Sequence, residues 1–156
     1  MSDLDQLLEC LIDEHTFISE YRVHNLVYLA ELLYVERTDG TRFSDVSFKP
    51  YRYGMYSDEL RDTLNKISTQ DQISTDEYTC DSCVYKSSRT KEDSEDVGKL
   101  VKVVIDLSRH LSDDELAECV KSSFLFSETG YNETVNFTQY SVYLKTSKSD
   151  WKTLLK

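Results

Sequence analysis

Between Ser19 and Glu36 apolar residues recur so densely that only a helix packed among several neighbours can carry them. Val23, Leu26, Val27, Ala30, Leu33 and Tyr34 share one face, and Leu29 and Leu32 lie beside it and widen it. A surface helix keeps a broad polar stripe for water, and this one keeps little, so the chain has to fold around it. Ser19 is placed to cap its start, and Thr38-Asp39-Gly40-Thr41 is a turn that ends it.

Other elements follow from spacing and caps. Leu4, Leu7, Leu8, Leu11 and Ile12 predict a first helix over 3–14, joined to the central one by a short extended link at Thr16-Phe17-Ile18. The stretch 47–53 changes phase at Pro50, with Phe48 on one face and Tyr51 and Tyr53 on the other, so a bent extended segment is expected rather than a regular strand. Gly54 permits a turn with positive φ, and Ser57 caps a third helix whose buried face is Leu60, Leu64 and Ile67. Residues 72–79 and 84–86 read as a β-hairpin around Cys80-Asp81-Ser82-Cys83, and 87–93 as a mobile, highly charged loop. A fourth helix is expected over 94–110. Ser112-Asp113-Asp114-Glu115 is a capping box that starts a fifth through about Lys121. The tail 124–156 is aromatic and turn-rich and reads as irregular, with a strand or helical turn at 140–144 and a short helix at 151–155.

The totals remove several functions. At 156 residues the chain is long enough for one domain with a real core, and its 11 Tyr and 6 Phe argue against disorder. A net charge of −11 opposes general affinity for phosphate backbones or anionic lipid. The acidic opening Met1-Ser2-Asp3-Leu4-Asp5 is not a secretory n-region, and no apolar run approaches a membrane span, so a cytoplasmic protein that enters no membrane is expected. On that expectation the sequons at Asn132 and Asn136 are chance.

Motifs for chemistry are sparse. Cys80-x-x-Cys83 is half a zinc site. Its further ligands would have to come from His15, His24, His110, Cys10 or Cys119, none of which forms a second paired motif. The reading taken is a hairpin turn with exposed thiols, open to a local disulfide, and neither metal nor cofactor is expected. There is no phosphate-binding glycine loop, no nucleophile elbow and no pairing of nucleophile with base, so no catalytic residue is assigned and an enzyme is not expected.

Tyr51, Arg52, Tyr53, Gly54 and Tyr56 are the candidate site. Tyrosine and arginine bury large areas while keeping a polar handle, which makes them common interface anchors. The alternative is that two of these tyrosines pack inward and merely fix the turn. Three helices, a hairpin and another helix also give a winged-helix order. In that fold 57–67 would be the recognition helix, but its exposed Asp58, Glu59, Arg61, Asp62 and Lys66 carry more acid than base. DNA binding is therefore disfavoured while the architecture stands.

Leu26-Val27-Tyr28-Leu29-Ala30, then Tyr53-Gly54-Met55-Tyr56-Ser57, then Ser112-Asp113-Asp114-Glu115-Leu116-Ala117 resemble, in order and spacing, motifs of the Panacea domain of SocA-like antitoxins and of the related YwgA-like proteins. The resemblance spans roughly 19–120. It departs at Asn25, where the family usually has a basic residue, and at Met55, where it usually has proline. The first departure is expected to weaken any role that depends on the charge, and the second to loosen the turn. What the resemblance implies is an antitoxin or adaptor-like module that binds a protein partner such as a toxin, with Tyr53, Gly54 and Tyr56 carrying the motif.

The sequence thus predicts a mainly helical α+β domain, 1–156, with a winged-helix-like core of about five helices and one β-hairpin. Its expected function is protein binding, with a winged-helix DNA-binding regulator as the alternative. A zinc-stabilised module or small metal-dependent enzyme is a third reading.

Overall fold

In a computed structural model of the chain, residues 3–13, 18–38, 40–69, 73–77, 83–87 and 95–146 are described. The fold is mainly helical α+β. The elements run α1 (Asp3–Asp13), β1 (Ile18–Ser19), α2 (Glu20–Arg37), β2 (Lys49–Tyr51), β3 (Gly54–Tyr56), α3 (Asp58–Thr69), β4 (Ile73–Glu77), β5 (Cys83–Ser87), α4 (Glu95–Ser108), α5 (Asp113–Lys121), α6 (Phe124–Glu128) and α7 (Phe137–Thr146). β4 and β5 form the expected antiparallel hairpin, and β5 also pairs with β1, giving the sheet order β1-β5-β4. Three helices, α1 to α3, a hairpin and a short first strand closing the sheet make the winged-helix-like core, with β2–β3 inserted between its second and third helices.

Nearly the whole of α2 is buried, as its apolar density requires. It packs against α1, α4, α5, α7 and the β3 strand. The apolar part of the core runs through Leu7, Leu8, Leu11, Leu26, Leu29, Leu60, Leu64, Val101, Val104, Leu116 and Val120. The caps act as the sequence predicts. Ser19 Oγ accepts from Arg22 N–H at 3.2 Å and Ser57 Oγ from Leu60 N–H at 3.2 Å. The capping box at Ser112 and Glu115 is closed in both directions.

A helix buried on every side must have each polar residue answered by a specific partner, because water cannot do it. α2 carries five such residues, and four have hydrogen bonds. The Arg22 guanidinium donates to Leu111 O, Asp113 Oδ1 and Ser108 O, each at 3.0 Å, and so ties the end of α4 to the start of α5. Glu31 accepts from Phe43 N–H (3.0 Å), Ser44 N–H (2.9 Å) and Ser44 Oγ, with Arg42 at 3.3 Å. His24 and Asn25 hold the β2–β3 region. The fifth, Glu20, is different and is treated with the site.

Arg22→Met should show how much the Arg22 tie contributes. It preserves much of the side-chain volume but removes the Arg22 donor from Leu111 O, Ser108 O and Asp113, of which Ser108 O keeps Leu111 N–H and Asp113 keeps Ser19 Oγ, and it is expected to cost about 1–3 kcal/mol in denaturant unfolding. A midpoint equal to the wild type would show that the carbonyls find other donors.

Two expectations need correction. The segment at 47–53 is not merely bent. Residues 49–51 pair with 54–56 as a short antiparallel hairpin, Lys49 opposite Tyr56, Pro50 opposite Met55 and Tyr51 opposite Gly54. The apparent phase change disappears once Pro50 is counted as apolar: Phe48 and Pro50 are buried while Lys49 and Tyr51 are exposed. A two-stranded ribbon also tolerates a residue without an N–H, since one side of each strand is unpaired. Among the described residues two short helices, α6 and α7, follow the expected five. The tail expected to be irregular over 124–156 is helical over 124–128 and 137–146. Asn136 Oδ1 accepts from Thr138 N–H at 2.9 Å at the start of α7, and Phe137 and Tyr140 turn into the core.

The region expected to be a mobile loop near 87–93 lies outside the described residues beyond Ser87. So do Cys80 and the helix expected at 151–155. Of Cys83 only the backbone, as the start of β5, is described. Among the described residues no helix is long and apolar enough to cross a membrane.

Candidate functional site

The turn joining β2 to β3 is built on two side chains of α2. Asn25 is buried; its Nδ2 donates to Tyr53 O at 3.0 Å and its Oδ1 accepts from Met55 N–H at 3.0 Å. It therefore clamps the peptide groups on both sides of Gly54. Gly54 has φ +111°, a conformation L-residues rarely adopt. A Cβ there would lie 2.2 Å from Asn25 Oδ1. Proline is missing at position 55, yet the turn is not loose, because Asn25 supplies the rigidity from outside it.

One residue earlier, His24 fixes the exit of the hairpin. Its Nδ1 accepts from Ser57 N–H at 3.1 Å, which leaves the proton of the neutral ring on Nε2. The ring is fully buried and stacks on Tyr56, centroids 4.7 Å apart and planes within 11°. Burial pushes its pKa below 6.5, outweighing the neighbouring Glu20 carboxylate, which pulls the other way.

The sign of the pH effect follows. A folded pKa below the unfolded one means the unfolded chain binds the proton first, so His24's contribution is complete above pH 6.5 and is lost as pH falls from there toward the lowered folded value. His24→Gln is expected to flatten the stability profile in that window, where one such group contributes up to about 1.4 kcal/mol per pH unit. Parallel profiles for wild type and variant below pH 6.5 would show that His24 is not held neutral.

The aromatic side chains form a continuous series. Tyr21 and Tyr53 have centroids 4.5 Å apart, Tyr53 and Tyr51 5.8 Å, Tyr51 and Tyr56 5.8 Å, and Tyr56 stacks on His24. The Arg52 guanidinium lies 4.8 Å from the Tyr53 ring centre. Arg61, from the first turns of α3, donates from Nη1 to the Tyr56 hydroxyl at 3.3 Å. Behind this series lies a cavity of about 360 Å³ lined by Glu20, Tyr21, Tyr51, Arg52, Tyr56 and Arg61.

Three of the five residues singled out from sequence line that cavity: Tyr51, Arg52 and Tyr56. The other two are placed beside it. Tyr53 contacts the cavity-lining Tyr21 with its ring tilted by 37°, and Gly54 lies over Asn25. Tyr51 is 40% exposed and Tyr53 37%, so neither is packed away merely to fix the turn. Sequence reasoning missed Glu20, Tyr21, His24, Asn25 and Arg61. A signal existed for Glu20, His24 and Asn25: with Arg22 and Glu31 they are polar or charged residues within a segment otherwise too apolar to face water. Arg61 was noted only as part of the α3 surface.

The α3 surface itself is acidic. Asp58, Glu59, Arg61, Asp62, Asn65 and Lys66 are exposed, and of the two bases Arg61 is turned toward Tyr56 and Glu20. Among the described residues no group of three or more His, Cys, Asp or Glu is placed to hold a metal ion. No family model, no curated protein and no solved structure matches the chain.

Proposed function

We propose that the chain is a protein-binding module of the cytoplasm, whose docking element is the β2–β3 hairpin with the tyrosine- and arginine-lined cavity behind it. The observation that carries this reading is the half-exposure of Tyr51 and Tyr53 on a turn that Asn25 and His24 hold rigid from beneath. Rigid, partly exposed aromatic side chains lose little entropy on binding and bury much area, the combination expected of interface anchors. The net charge of −11 would speed encounter with a basic partner. The resemblance to the Panacea domain and YwgA-like proteins makes the concrete form of this an antitoxin or adaptor that neutralises or delivers a partner such as a toxin.

The test is capture of partners on the immobilised chain from its native host at moderate salt with nuclease present. It compares wild type with Tyr51→Ala/Tyr53→Ala. Both side chains are exposed enough for the variant to stay folded. A stoichiometric protein whose affinity falls at least about tenfold in the variant is the expected result. Equal capture by both proteins would exclude the hairpin as the docking element.

The winged-helix-like element order keeps a DNA-binding regulator as the second reading. It requires a basic surface where α3 presents more acid than base. DNA affinity that falls steeply with salt and survives loss of Tyr51 and Tyr53 would favour it.

A further inference from the structure

On α2 two facing buried atoms, Glu20 Oε1 and the protonated His24 Nε2, lie 3.6 Å apart and both lack a hydrogen bond, and of the two residues only Glu20 reaches the cavity. It is only 2% exposed, yet it lines the cavity. Its nearest cationic or ionisable atoms, His24 Nε2 and Arg61 Nε, are both 3.6 Å away, beyond hydrogen-bond length. A buried carboxylate oxygen left in this condition is costly unless a donor arrives. The same cavity carries two guanidinium groups, Arg52 and Arg61, and the Arg61 side chain is half exposed. Tyrosine rings supply the remaining wall.

These groups do not suit a simple ion of either sign. A lone cation would meet Glu20 but also two arginines, and a lone anion would meet the arginines but also the buried carboxylate. A ligand carrying both charges side by side satisfies each. An ammonium donates to Glu20 Oε1, a carboxylate on the same carbon accepts from Arg52 and Arg61, and an apolar substituent lies against Tyr21, Tyr51 and Tyr56. The volume of about 360 Å³ is at the lower end for small-molecule sites, which fits a single amino acid.

We infer that the cavity formed by Glu20, Arg52, Arg61 and the tyrosines binds a free α-amino acid with an apolar or aromatic side chain. Glu20 receives the ammonium and the two arginines receive the carboxylate. Asp58, exposed at the start of α3, does not line the cavity and leaves this balance intact. The inference concerns the cavity and the isolated chain, so it can fail while partner docking through the exposed rings of Tyr51 and Tyr53 stands.

The test deletes one ligand charge at a time. L-phenylalanine and L-leucine, N-acetyl-L-phenylalanine and L-phenylalaninamide are titrated into the isotope-labelled full chain, and the arginine Nε–H and hairpin amide resonances are followed by NMR. The expected result is saturable binding of at least one of the free amino acids. N-acetyl-L-phenylalanine and L-phenylalaninamide should each bind at least about tenfold more weakly than L-phenylalanine, or, if only L-leucine is bound, show no binding at all. Glu20→Gln should weaken the free amino acid while leaving the amide-to-acid difference, and Arg61→Gln, its fold checked by the dispersion of its amide spectrum, should weaken it without touching the effect of acetylation.

Equal binding of the acetylated form would overturn the ammonium contact and make this an anion site. Equal binding of the amide would overturn the carboxylate contact. No saturable shift with either free amino acid at millimolar concentration would overturn the inference altogether.

Discussion

Gly54→Ala is expected to lower stability by about 3 kcal/mol or more, a combination of an unfavourable backbone conformation and the loss of buried hydrogen bonds. The methyl group cannot be accommodated by a small shift. Its contacts would be 2.2 Å to Oδ1, 2.8 Å to Cγ and 2.9 Å to Nδ2 of Asn25, a side chain buried on all sides. Either the turn abandons φ +111° or Asn25 leaves its place, and each route breaks the bonds to Tyr53 O and Met55 N–H. The Tyr21–Tyr53–Tyr51 contacts would go with the turn, so partner capture should fall in parallel. Because the clash is with one side chain, Asn25→Ala and Gly54→Ala should be strongly non-additive: the double variant should be much closer to Asn25→Ala than to the sum. Additive single effects in urea unfolding would show that the strain lies in the backbone alone.

The second large effect is expected at Glu31, whose carboxylate organises the connection between α2 and the hairpin. Thr38 closes the end of α2, donating from N and Oγ1 to Tyr34 O, and Gly40, at φ +103°, turns the chain back. From there the segment is fixed by Glu31, which accepts from the Phe43 and Ser44 amides, while Arg42 reaches both Glu31 and the face of Phe137 at 4.0 Å from its centre. Val46 and Phe48 are buried beyond this point, and Phe48 O accepts from Val135 N–H at 2.8 Å. Glu31→Ala strands two backbone donors and a partly buried guanidinium, and breaking such a pair costs about 3–5 kcal/mol. For a chain of this size the melting temperature should fall by roughly 10 °C. Glu31→Gln, which keeps one acceptor oxygen and the volume, should cost less than half as much. A melting temperature unchanged in Glu31→Ala would mean that the segment is held by Val46 and Phe48 alone.

Periodicity located α2, because a segment with Val23, Leu26, Val27, Ala30 and Leu33 on one face and Leu29 and Leu32 beside it has no other stable form. Local chemistry located the caps at Ser19, Ser57 and Ser112, since a capping hydroxyl acts within three residues of itself. The hairpin at 73–87 was legible for the same reason of locality. What the sequence hid was long-range pairing. Asn25 meets residues 28 and 30 positions away, His24 one 33 away and Arg22 three that are 86 to 91 away, and no spacing rule connects such partners.

Read alone, Asn25 was a departure from a motif that weakens a role. In the fold it is the clamp that makes the turn. The strand at 49–51 was read as a bent segment because the alternation was taken to change phase at Pro50, although in a two-stranded ribbon Pro50 serves as an apolar inward residue opposite Met55. The helix at 137–146 was passed over because Thr138, Tyr140, Val142 and Tyr143 favour strands individually. The Asn136 cap and the spacing of Phe137, Tyr140 and Leu144 were the signal that should have outweighed them.

The candidate site followed the same division. Its exposed residues, Tyr51, Arg52 and Tyr53, were readable because aromatic and arginine side chains crowd one short turn. Its floor, Glu20 with His24, was not, because a Glu at the start of a helix is ordinarily a solvated charge that complements the helix dipole. Only the fold shows that the first turn of α2 lies under the hairpin, which converts that charge into a buried one.

The most direct measurement of the central claim is amide hydrogen exchange on the full chain with and without a partner captured from the host. The account predicts new protection concentrated at the amides of 49–56 and at the first turn of α2, with the exposed face of α3 unchanged. Protection confined to the exposed surface of α3 and to the β4–β5 hairpin would contradict it and assign binding to the winged-helix surface instead.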